Sequence, residues 1–441
     1  MGMAKKADKK AVNIGILGFG TVGSGTARIL VENSELIKER LGFPLTLKKI
    51  ADLDIRKDRG IKLGKDVLTT DARQVTDAPD IDIVVELIGG LGIAKELLLR
   101  AIKNGKHVVT ANKALLAEHG QEIFGAAKKY GVSLGFEASV GGGIPIIKAL
   151  GEGLIANRIN YVYGIVNGTS NYILTKMTNE GMEFSTVLKE AQELGYAEAD
   201  PTLDVGGADS AHKLTILASL AFGIPLSYEE VYTEGITGIT PLDIAFASEL
   251  GFKIKLLAIA KAEGGKVELR VHPTMLPKDY LISQVDGVMN AIYVNGRETG
   301  DTLYYGRGAG DMPTGSAVVS DMADIARLVM SGAPAKSGLS VSKSSRMGIR
   351  PMDEVESMYY FRFYALDQPG VLSKISGVLG ENNISIASVI QKGRKEGEAV
   401  PLVILTHKAV EKNVRRALKK INSMRAVATG KNCLIRVEGQ E

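Results

Sequence analysis

Residues 12–23 read VNIGILGFGTVG, and this stretch decides the fold of the first part of the chain. The apolar run Val12–Leu17 predicts a short buried strand, and three glycines follow it with the spacing G-x-G-x-x-G. Gly18 permits a tight turn, Gly20 lets a pyrophosphate approach the backbone, and Gly23 lets the next helix pack closely against the strand. Because a helix-compatible segment comes next, the phosphates would lie at a helix N-terminus. The stretch therefore predicts a dinucleotide-binding fold.

The composition is that of an ordinary globular protein. The 441 residues are 45% apolar and 24% charged, and 54 basic against 50 acidic residues leave a net charge of +4. This balance argues against nucleic acid or a membrane as a partner, and no apolar run approaches the roughly 20 residues that span a bilayer. The basic start, MGMAKKADKK, lacks an apolar core and is read as a loose tail rather than a secretory signal. The single cysteine, Cys433, excludes an internal disulfide and favours a reducing compartment, the cytoplasm.

Strand and helix patterns alternate from residue 11 to about residue 135. This alternation predicts an α/β fold with a doubly wound parallel sheet of the Rossmann type. The predicted strands are Val12–Leu17, Leu45–Ala51, Ile83–Glu86, His107–Thr110 and Ser133–Phe136, and the predicted helices include Ala94–Lys103 and Leu115–Lys129. The segment Ser34–Phe43 looks like an insertion that lengthens the first helix.

The carboxyl ends of these strands carry candidate ligands for a cofactor. Asp52 could hold the ribose hydroxyl of NAD, whereas Arg56 and Lys57 could hold the 2′-phosphate of NADP, so the choice stays open with a lean to NADP. Lys113 follows the fourth predicted strand, where ligands of open α/β sheets bind. A solvated lysine at a helix start is the alternative for Lys113.

A glycine-rich loop at Glu137–Ile144 (EASVGGGI) combines one carboxylate with exposed carbonyl groups. These hard oxygen donors suit an alkali or alkaline-earth cation. Equally, the glycines could simply let the backbone approach a ligand.

The stretch Leu194–Lys213 (LGYAEADPTLDVGGADSAHK) crowds ionisable groups around the start of an apolar helix. Asp209 and Lys213 are four residues apart and share one helix face. A carboxylate and an amine on one face suit a small zwitterionic substrate and a proton transfer. The alternative is an ordinary surface ion pair.

The C-terminal part reads as a separate small unit. Ser331–Ser357 is rich in Ser, Lys, Gly and Pro and is interpreted as a linker. Residues 358–438 follow the order β-α-β-β-α-β of a ferredoxin-like fold. Because this unit lacks clustered catalytic residues, it is expected to bind a small amino acid, or only to dimerise.

Seven strings carry a close resemblance to a known family. They are GFGTVG, VVTANKALLA, EASVGGGIPI, GIVNGTSNYIL, LGYAEADPTLDVGGADSAHKL, YGRGAGDMPTGSAVVSD and YALDQPGVLSKISGVLGENNISI. They span nearly the whole chain, which resembles the monofunctional homoserine dehydrogenases with a C-terminal ACT domain. The resemblance implies reversible, NAD(P)-dependent interconversion of L-homoserine and L-aspartate 4-semialdehyde, in threonine, methionine and isoleucine biosynthesis.

The resemblance also implies roles for individual residues. Lys213 would transfer the proton, and Lys113 would contact both cofactor and substrate. The substrate ligands would be Glu198, Asp204 and Asp209. Thr21, Val22 and Gly195 would contact the cofactor, beside Gly18, Phe19, Gly20 and Gly23 of the turn whose spacing already predicts this. A structural sodium ion would be held by Glu137, Val140, Gly142, Ile144 and Gly310. Threonine would bind across a dimer of ACT domains, near Pro369, Gly370, Val371, Asn382 and Asn383.

The expected organisation has three domains. Residues 1–136 would form the Rossmann domain, and residues 305–330 would pack back onto it. Residues 137–330 would form an α+β catalytic and dimerisation domain, residues 331–357 the linker and residues 358–441 the ACT domain. The chain is expected to form a homodimer or a homotetramer.

An aldehyde-oxidising enzyme on the same fold is a rival, but it needs a thiol nucleophile, and Cys433 is far in sequence from the nucleotide site. A nucleotide sensor without catalysis would have little use for the ionisable groups that follow Leu194.

Overall fold

The computed structural model describes residues 9–336, 347–392, 398–427 and 432–439. Most of the predicted basic tail and the middle of the predicted linker therefore lie outside the described residues. The chain divides into two compact units. The first unit combines residues 1–159, 212–228 and 290–345, and the second combines residues 160–211, 229–289 and 346–441.

The first unit contains the predicted parallel sheet. Its strands are β1 (Val12–Leu17), β2 (Leu45–Ala51), β3 (Leu68–Thr69), β4 (Ile83–Glu86), β5 (His107–Thr110) and β6 (Leu134–Gly135). They lie in the order β3-β2-β1-β4-β5-β6, and the pairings between them are parallel. This is the doubly wound order, in which the chain reverses direction across the sheet beside β1. The sequence did not reveal β3, because two residues are too few to show a period.

Helices connect these strands, and a short one follows the last of them. They are α1 (Thr21–Glu32), α2 (Ser34–Leu41), α3 (Arg73–Thr76), α4 (Gly92–Lys103), α5 (Lys113–Tyr130) and α6 (Ile146–Lys148). The prediction that Ser34–Phe43 lengthens the first helix is wrong. Asn33 leaves helical geometry and ends α1, with its backbone N–H donating to the carbonyl of Ile29, and α2 begins at the next residue.

The middle of the chain alternates helices and long strands. Its elements are β7 (Ile159–Ile165), α7 (Gly168–Glu180), α8 (Phe184–Glu193), α9 (Thr202–Val205), α10 (Ala208–Phe222), β8 (Tyr232–Thr233), α11 (Pro241–Glu249), β9 (Phe252–Glu263), β10 (Lys266–Pro277), β11 (Met289–Gly296), β12 (Gly300–Arg307) and α12 (Asp311–Ser331). Helix α10 begins in the second unit, and from His212 onward it belongs to the first.

Helix α12 packs against α1 within the first unit. A Cβ on Gly25 would lie 2.3 Å from the carbonyl oxygen of Asp311, and a Cβ on Gly315 would lie 2.9 Å from the backbone nitrogen of Thr26. Only glycine leaves room for two helix backbones at this distance. Apolar side chains of α1, α12 and β1 share one core.

The C-terminal part has the predicted β-α-β-β-α-β order. Its elements are β13 (Gly348–Ile349), β14 (Glu356–Leu366), α13 (Val371–Glu381), β15 (Ile386–Gln391), β16 (Ala399–Thr406), β17 (Ala409–Val410), α14 (Glu411–Asn422) and β18 (Cys433–Val437). The four main strands form an antiparallel sheet in the order β18-β14-β16-β15, and α13 and α14 share an apolar core with it. The ferredoxin-like prediction is confirmed.

This sheet is continuous with the strands that precede it in the second unit. β18 pairs in parallel with β10, with Thr274 opposite Arg436. On its other edge β10 pairs with β9, and β9 pairs with β7. β13, which lies inside the predicted linker, also pairs with β10. The C-terminal part is therefore built into the second unit by backbone hydrogen bonds.

No helix among the described residues is both long enough and apolar enough to cross a membrane.

Candidate active site

The glycine-rich turn after β1 has the geometry that its sequence predicts. Gly18 has a φ of +97°, and a Cβ there would lie 2.6 Å from the carbonyl oxygen of Leu87. A Cβ on Gly23 would lie 2.1 Å from the carbonyl oxygen of Gly18, whereas Gly20 faces open space. The turn therefore leaves the first residue of α1 next to a surface that a phosphate can approach.

Asp52 is engaged by the glycine-rich turn. Its Oδ2 accepts a hydrogen bond of 2.5 Å from the backbone N–H of Phe19, and its Oδ1 accepts one of 2.8 Å from Asp54. Its Oδ1 also lies 3.7 Å from the guanidinium of Arg59. Both carboxylate oxygens thus have protein partners.

Arg59 is a basic residue that sequence reasoning missed. Its guanidinium stacks over the ring of Phe19 at 4.6 Å and donates to the carbonyl oxygen of the same residue. A cavity of about 390 Å³ lies beside it, lined in part by Arg56 and Lys57. The signal in the sequence was the third basic residue in the segment RKDR, at 56–59.

The carboxyl ends of β4 and β5 are held by a buried carboxylate. Glu86 accepts hydrogen bonds from the backbone N–H of Ile88 and from the hydroxyl of Thr110, at 2.8 and 2.6 Å. Asn112 then caps α5 by accepting from the N–H of Leu115. Lys113, half-buried, is the first residue of that helix. The cap fixes the backbone that presents Lys113 at this end of the sheet.

An asparagine brings two of the predicted substrate ligands together. The Nδ2 of Asn167, at the N-cap of α7, donates to Asp204 at 2.7 Å and to Asp209 at 2.9 Å. Asp209 is buried in the first turn of α10, and Lys213, also buried, follows one turn later on the same helix. The shared amide thus holds two carboxylates together next to the start of α10, the helix that carries Lys213.

Two other predicted ligands lie on the loop before α9. Glu198 and Gly195 are both exposed there, and Gly195 has a φ of +75°. The loop is tied to α7, because the hydroxyl of Thr169 donates to the carbonyl oxygen of Tyr196 at 2.5 Å.

The predicted sodium loop is built around a buried carboxylate. Glu137 accepts from the backbone N–H groups of Ile147 and Lys148, at 2.8 and 2.9 Å, and burial raises the pKa of its side chain. A Cβ on Gly142 would lie 2.5 Å from the carbonyl of Gly308, so two loop backbones run in contact. Val140 and Ile144 are buried beside them, and Gly310 is exposed at the N-cap of α12. One carboxylate with nearby carbonyls fits a hard cation, and the described residues contain no cluster of three or more His, Cys, Asp or Glu side chains that could hold a metal.

The predicted regulatory residues lie at opposite ends of α13. Gly370 is its N-cap, with a φ of +87°, and Asn382 is its C-cap, donating to the carbonyl of Val378 at 2.8 Å. An eleven-residue helix is about 16 Å long, so one chain does not bring the two groups together. A shared effector site would need two chains.

Three family models match the chain. Residues 18–137 match "Homoserine dehydrogenase, NAD binding domain", residues 145–323 match "Homoserine dehydrogenase", and residues 359–423 match "ACT domain". A homoserine dehydrogenase of Neisseria gonorrhoeae is 50% identical over 421 residues, which cover 95% of this chain and 97% of that protein. The chain belongs to the homoserine dehydrogenase family.

Other homoserine dehydrogenases agree over similar lengths. The Bacillus subtilis protein is 42% identical over 98% of this chain and 99% of its own length. The crystal structure of a homoserine dehydrogenase from Thiobacillus denitrificans has a TM-score of 0.92 at 50% identity, covering 97% of this chain and 98% of that one. A hyperthermophilic archaeal homoserine dehydrogenase in complex with NADPH has a TM-score of 0.61 at 29% identity, covering 72% and 98%. The family, the Rossmann-type domain and the ACT domain predicted from the sequence are confirmed.

The single thiol of this homoserine dehydrogenase family member is buried on β18, and burial raises the pKa of Cys433 well above its usual range. A thiol in that state is a poor nucleophile, which argues against the aldehyde-oxidising rival.

Proposed function

We propose that this chain catalyses the reversible, NAD(P)-dependent interconversion of L-homoserine and L-aspartate 4-semialdehyde. The observation that carries the proposal is the pair of carboxylates, Asp204 and Asp209, held on one amide next to the start of α10. Homoserine carries an ammonium group, and two carboxylates bind such a group by charge-assisted hydrogen bonds. Membership of the family supports the same substrate.

In the reducing direction Lys213 acts as the acid. A nicotinamide cofactor, when bound, would supply the hydride to the aldehyde carbon, and the ammonium of Lys213 would give its proton to the aldehyde oxygen, which would become the alcohol of homoserine. A charged lysine also polarises the carbonyl before transfer. Glu198, Asp204 and Asp209 hold the substrate, while Lys113 contacts both substrate and cofactor.

For the cofactor we propose NADP in preference to NAD. Both oxygens of Asp52 already have protein partners, which supports a structural role for this side chain in place of ribose binding. Arg56, Lys57 and Arg59 around the adjacent cavity would hold the 2′-phosphate, since guanidinium groups bind phosphate through paired hydrogen bonds.

A structural sodium ion is the proposed occupant of the loop Glu137–Ile144. The donor set would be the carboxylate of Glu137 with carbonyls of Val140, Gly142, Ile144 and Gly310. Its role would be to join the two glycine-rich loops, whose backbones already touch at Gly142 and Gly308.

The ACT domain is proposed to bind threonine and to reduce activity when it does so, in a homodimer or homotetramer that operates in the cytoplasm. The separation of Gly370 and Asn382 along α13 supports a site that two chains share. The pathway served would be that of threonine, methionine and isoleucine.

The experiment is an absorbance assay of cofactor reduction by the full chain with L-homoserine, run side by side with NADP and NAD. Homoserine-dependent reduction with a higher kcat/KM for NADP is the expected result. Absence of reduction with either cofactor would overturn the proposed activity, and a higher kcat/KM for NAD would overturn the cofactor assignment alone.

A further inference from the structure

Asn167 occupies a position that none of the roles above includes. It is 5% exposed and sits at the N-cap of α7, where its Oδ1 accepts from the backbone N–H of Ser170 at 2.8 Å. This cap fixes the orientation of the amide, because reversing it would turn the oxygen towards two carboxylates. The amide nitrogen must therefore face Asp204 and Asp209.

Both hydrogens of that nitrogen are used. One is donated to Asp204 at 2.7 Å and the other to Asp209 at 2.9 Å. Since two carboxylate oxygens share one nitrogen, they lie within about 6 Å of each other. That spacing lets both oxygens contact a single ammonium group, and the shared donor fixes it.

The rest of the first turn of α7 holds the backbone of the same segments. The hydroxyl of Ser170 donates to the carbonyl oxygen of Asp204 at 3.0 Å. The hydroxyl of Thr169 donates to the carbonyl oxygen of Tyr196, on the loop that carries Glu198. Three polar residues at one helix start thus hold the two carboxylates, the backbone of Asp204 and the loop before it.

We propose that Asn167 is a positioning residue that keeps Asp204 and Asp209 correctly spaced to bind the ammonium group of the amino-acid substrate. The inference rests on the proposed function for the identity of that substrate. Asn167 acts through the two carboxylates and does not contact the reacting atoms. Its effect therefore falls on substrate binding, and not on binding of the hydride donor.

The test is the pair Asn167→Asp and Asn167→Ser in the full chain. Asp, Ser and Asn are comparable N-caps, so the start of α7 is retained in both variants. Each variant loses the shared donor, and Asn167→Asp adds a third carboxylate. We expect the KM for homoserine to rise roughly 10- to 100-fold, in line with lost hydrogen bonds to charged groups, while the KM for the cofactor stays unchanged. In both variants kcat at saturating homoserine should change much less than KM, because the lost hydrogen bonds act on substrate binding.

Asn171→Asp provides the matched control. Asn171 is a buried amide one turn further along α7, and its Nδ2 donates to the carbonyl of Val285 at 3.0 Å. That variant puts a carboxylate beside Lys255, whose Nζ already donates to Asn171 Oδ1 at 3.1 Å, and it should leave the KM for homoserine unchanged. If Asn167→Asp has the wild-type KM for homoserine, or if Asn171→Asp raises that KM equally, the positioning role is overturned. A wild-type chain that does not oxidise homoserine would overturn the proposed function instead.

Discussion

Arg362 on β14 and Asp243 on α11 form a buried, bidentate ion pair. The guanidinium nitrogens Nε and Nη2 lie 2.6 and 2.9 Å from Oδ1 and Oδ2 of the carboxylate, and both side chains are at most 1% exposed. Asp243 also completes a capping box with Thr240 at the start of α11. The pair joins the C-terminal sheet to a helix of the preceding segment within the second unit.

Removing one partner of this pair should destabilise the second unit. Asp243→Asn leaves the Arg362 guanidinium buried without its counter-charge, a change that costs about 3–5 kcal/mol in free energy of unfolding. Urea unfolding monitored by circular dichroism measures the change. The control is Glu354→Gln, which removes an ion pair with Lys266 whose side chains are 45% and 53% exposed, and which should shift stability by less than about 1 kcal/mol. Equal shifts in both variants would contradict the importance of burial.

A second contact of the C-terminal sheet leads towards Asp204, one of the proposed substrate ligands. Arg436 on β18 pairs with Glu234 at 2.9 Å. Ile236 lies two residues after Glu234, and its backbone N–H donates to the carbonyl oxygen of Val205 at 2.8 Å. Val205 follows Asp204 directly. We propose that this short chain of contacts couples an effector on the ACT domain to the proposed substrate site.

Glu234→Gln should therefore weaken threonine inhibition. Loss of the charge pair with Arg436 is expected to raise the threonine concentration for half-inhibition about fivefold or more, the scale of a 1 kcal/mol coupling. Inhibition curves of the full chain measure this, with Glu354→Gln as the control. A chain cut after residue 331 is a poor substitute, because it would strip β18 from β10 and remove Glu438 from the buried Arg270. Unchanged inhibition in Glu234→Gln would exclude this route.

Lys213→Ala should lose turnover but keep the cofactor. Without its acid, the reaction is expected to slow by roughly 10²- to 10⁴-fold. Steady-state kinetics give the loss, and fluorescence titration with NADPH checks that cofactor binding is nearly intact. Lys189→Ala, on the exposed face of α8, serves as the control. Near-normal turnover in Lys213→Ala would remove this lysine from the mechanism.

Arg59→Ala should shift the cofactor preference towards NAD. We expect kcat/KM with NADPH to fall about 10- to 100-fold relative to kcat/KM with NADH, because only NADPH has a 2′-phosphate for the guanidinium to bind. Arg40→Ala makes the same charge change at an exposed position of α2. Equal losses with the two cofactors would show that Arg59 only supports the turn at Phe19.

The buried imidazole of His272 should make stability depend on pH. Arg270 donates to its Nε2 at 3.1 Å, so the proton resides on Nδ1, and burial together with Arg436 and Arg270 holds the pKa of His272 well below its usual value. Below about pH 6.5 the unfolded chain therefore binds a proton that the folded chain does not, and the free energy of unfolding falls by about 1.4 kcal/mol per pH unit from this group. Urea unfolding at pH 7.5 and 5.5 measures this fall in the free energy of unfolding. The fall should be smaller in His272→Gln than in the wild type, and it should equal the wild-type fall in His407→Gln, a control at an exposed position. The same fall in all three proteins would contradict this.

Local patterns predicted much of this molecule. The turn at Gly18–Gly23, the parallel strands and the β-α-β-β-α-β order each depend on neighbours in the chain, through glycine geometry and apolar periodicity. The boundary at Asn33 was missed, because a two-helix segment and a longer helix have similar periodicity. Strand β9 was missed although it is twelve residues long, because its nearly continuous burial hides alternation.

Contacts between distant residues could not be read from those patterns. Three contacts depend on how elements far apart in the chain come together. They are the pairing of β18 with β10, the stacking of Arg59 on Phe19 and the amide that links Asp204 to Asp209. Residue types and spacing name the groups that can do chemistry, since these are local properties. The tertiary structure decides which carboxylates share a hydrogen-bond donor. It also decides which carboxylates, such as Asp52, already accept hydrogen bonds from the protein, because hydrogen bonds are short-ranged and directional.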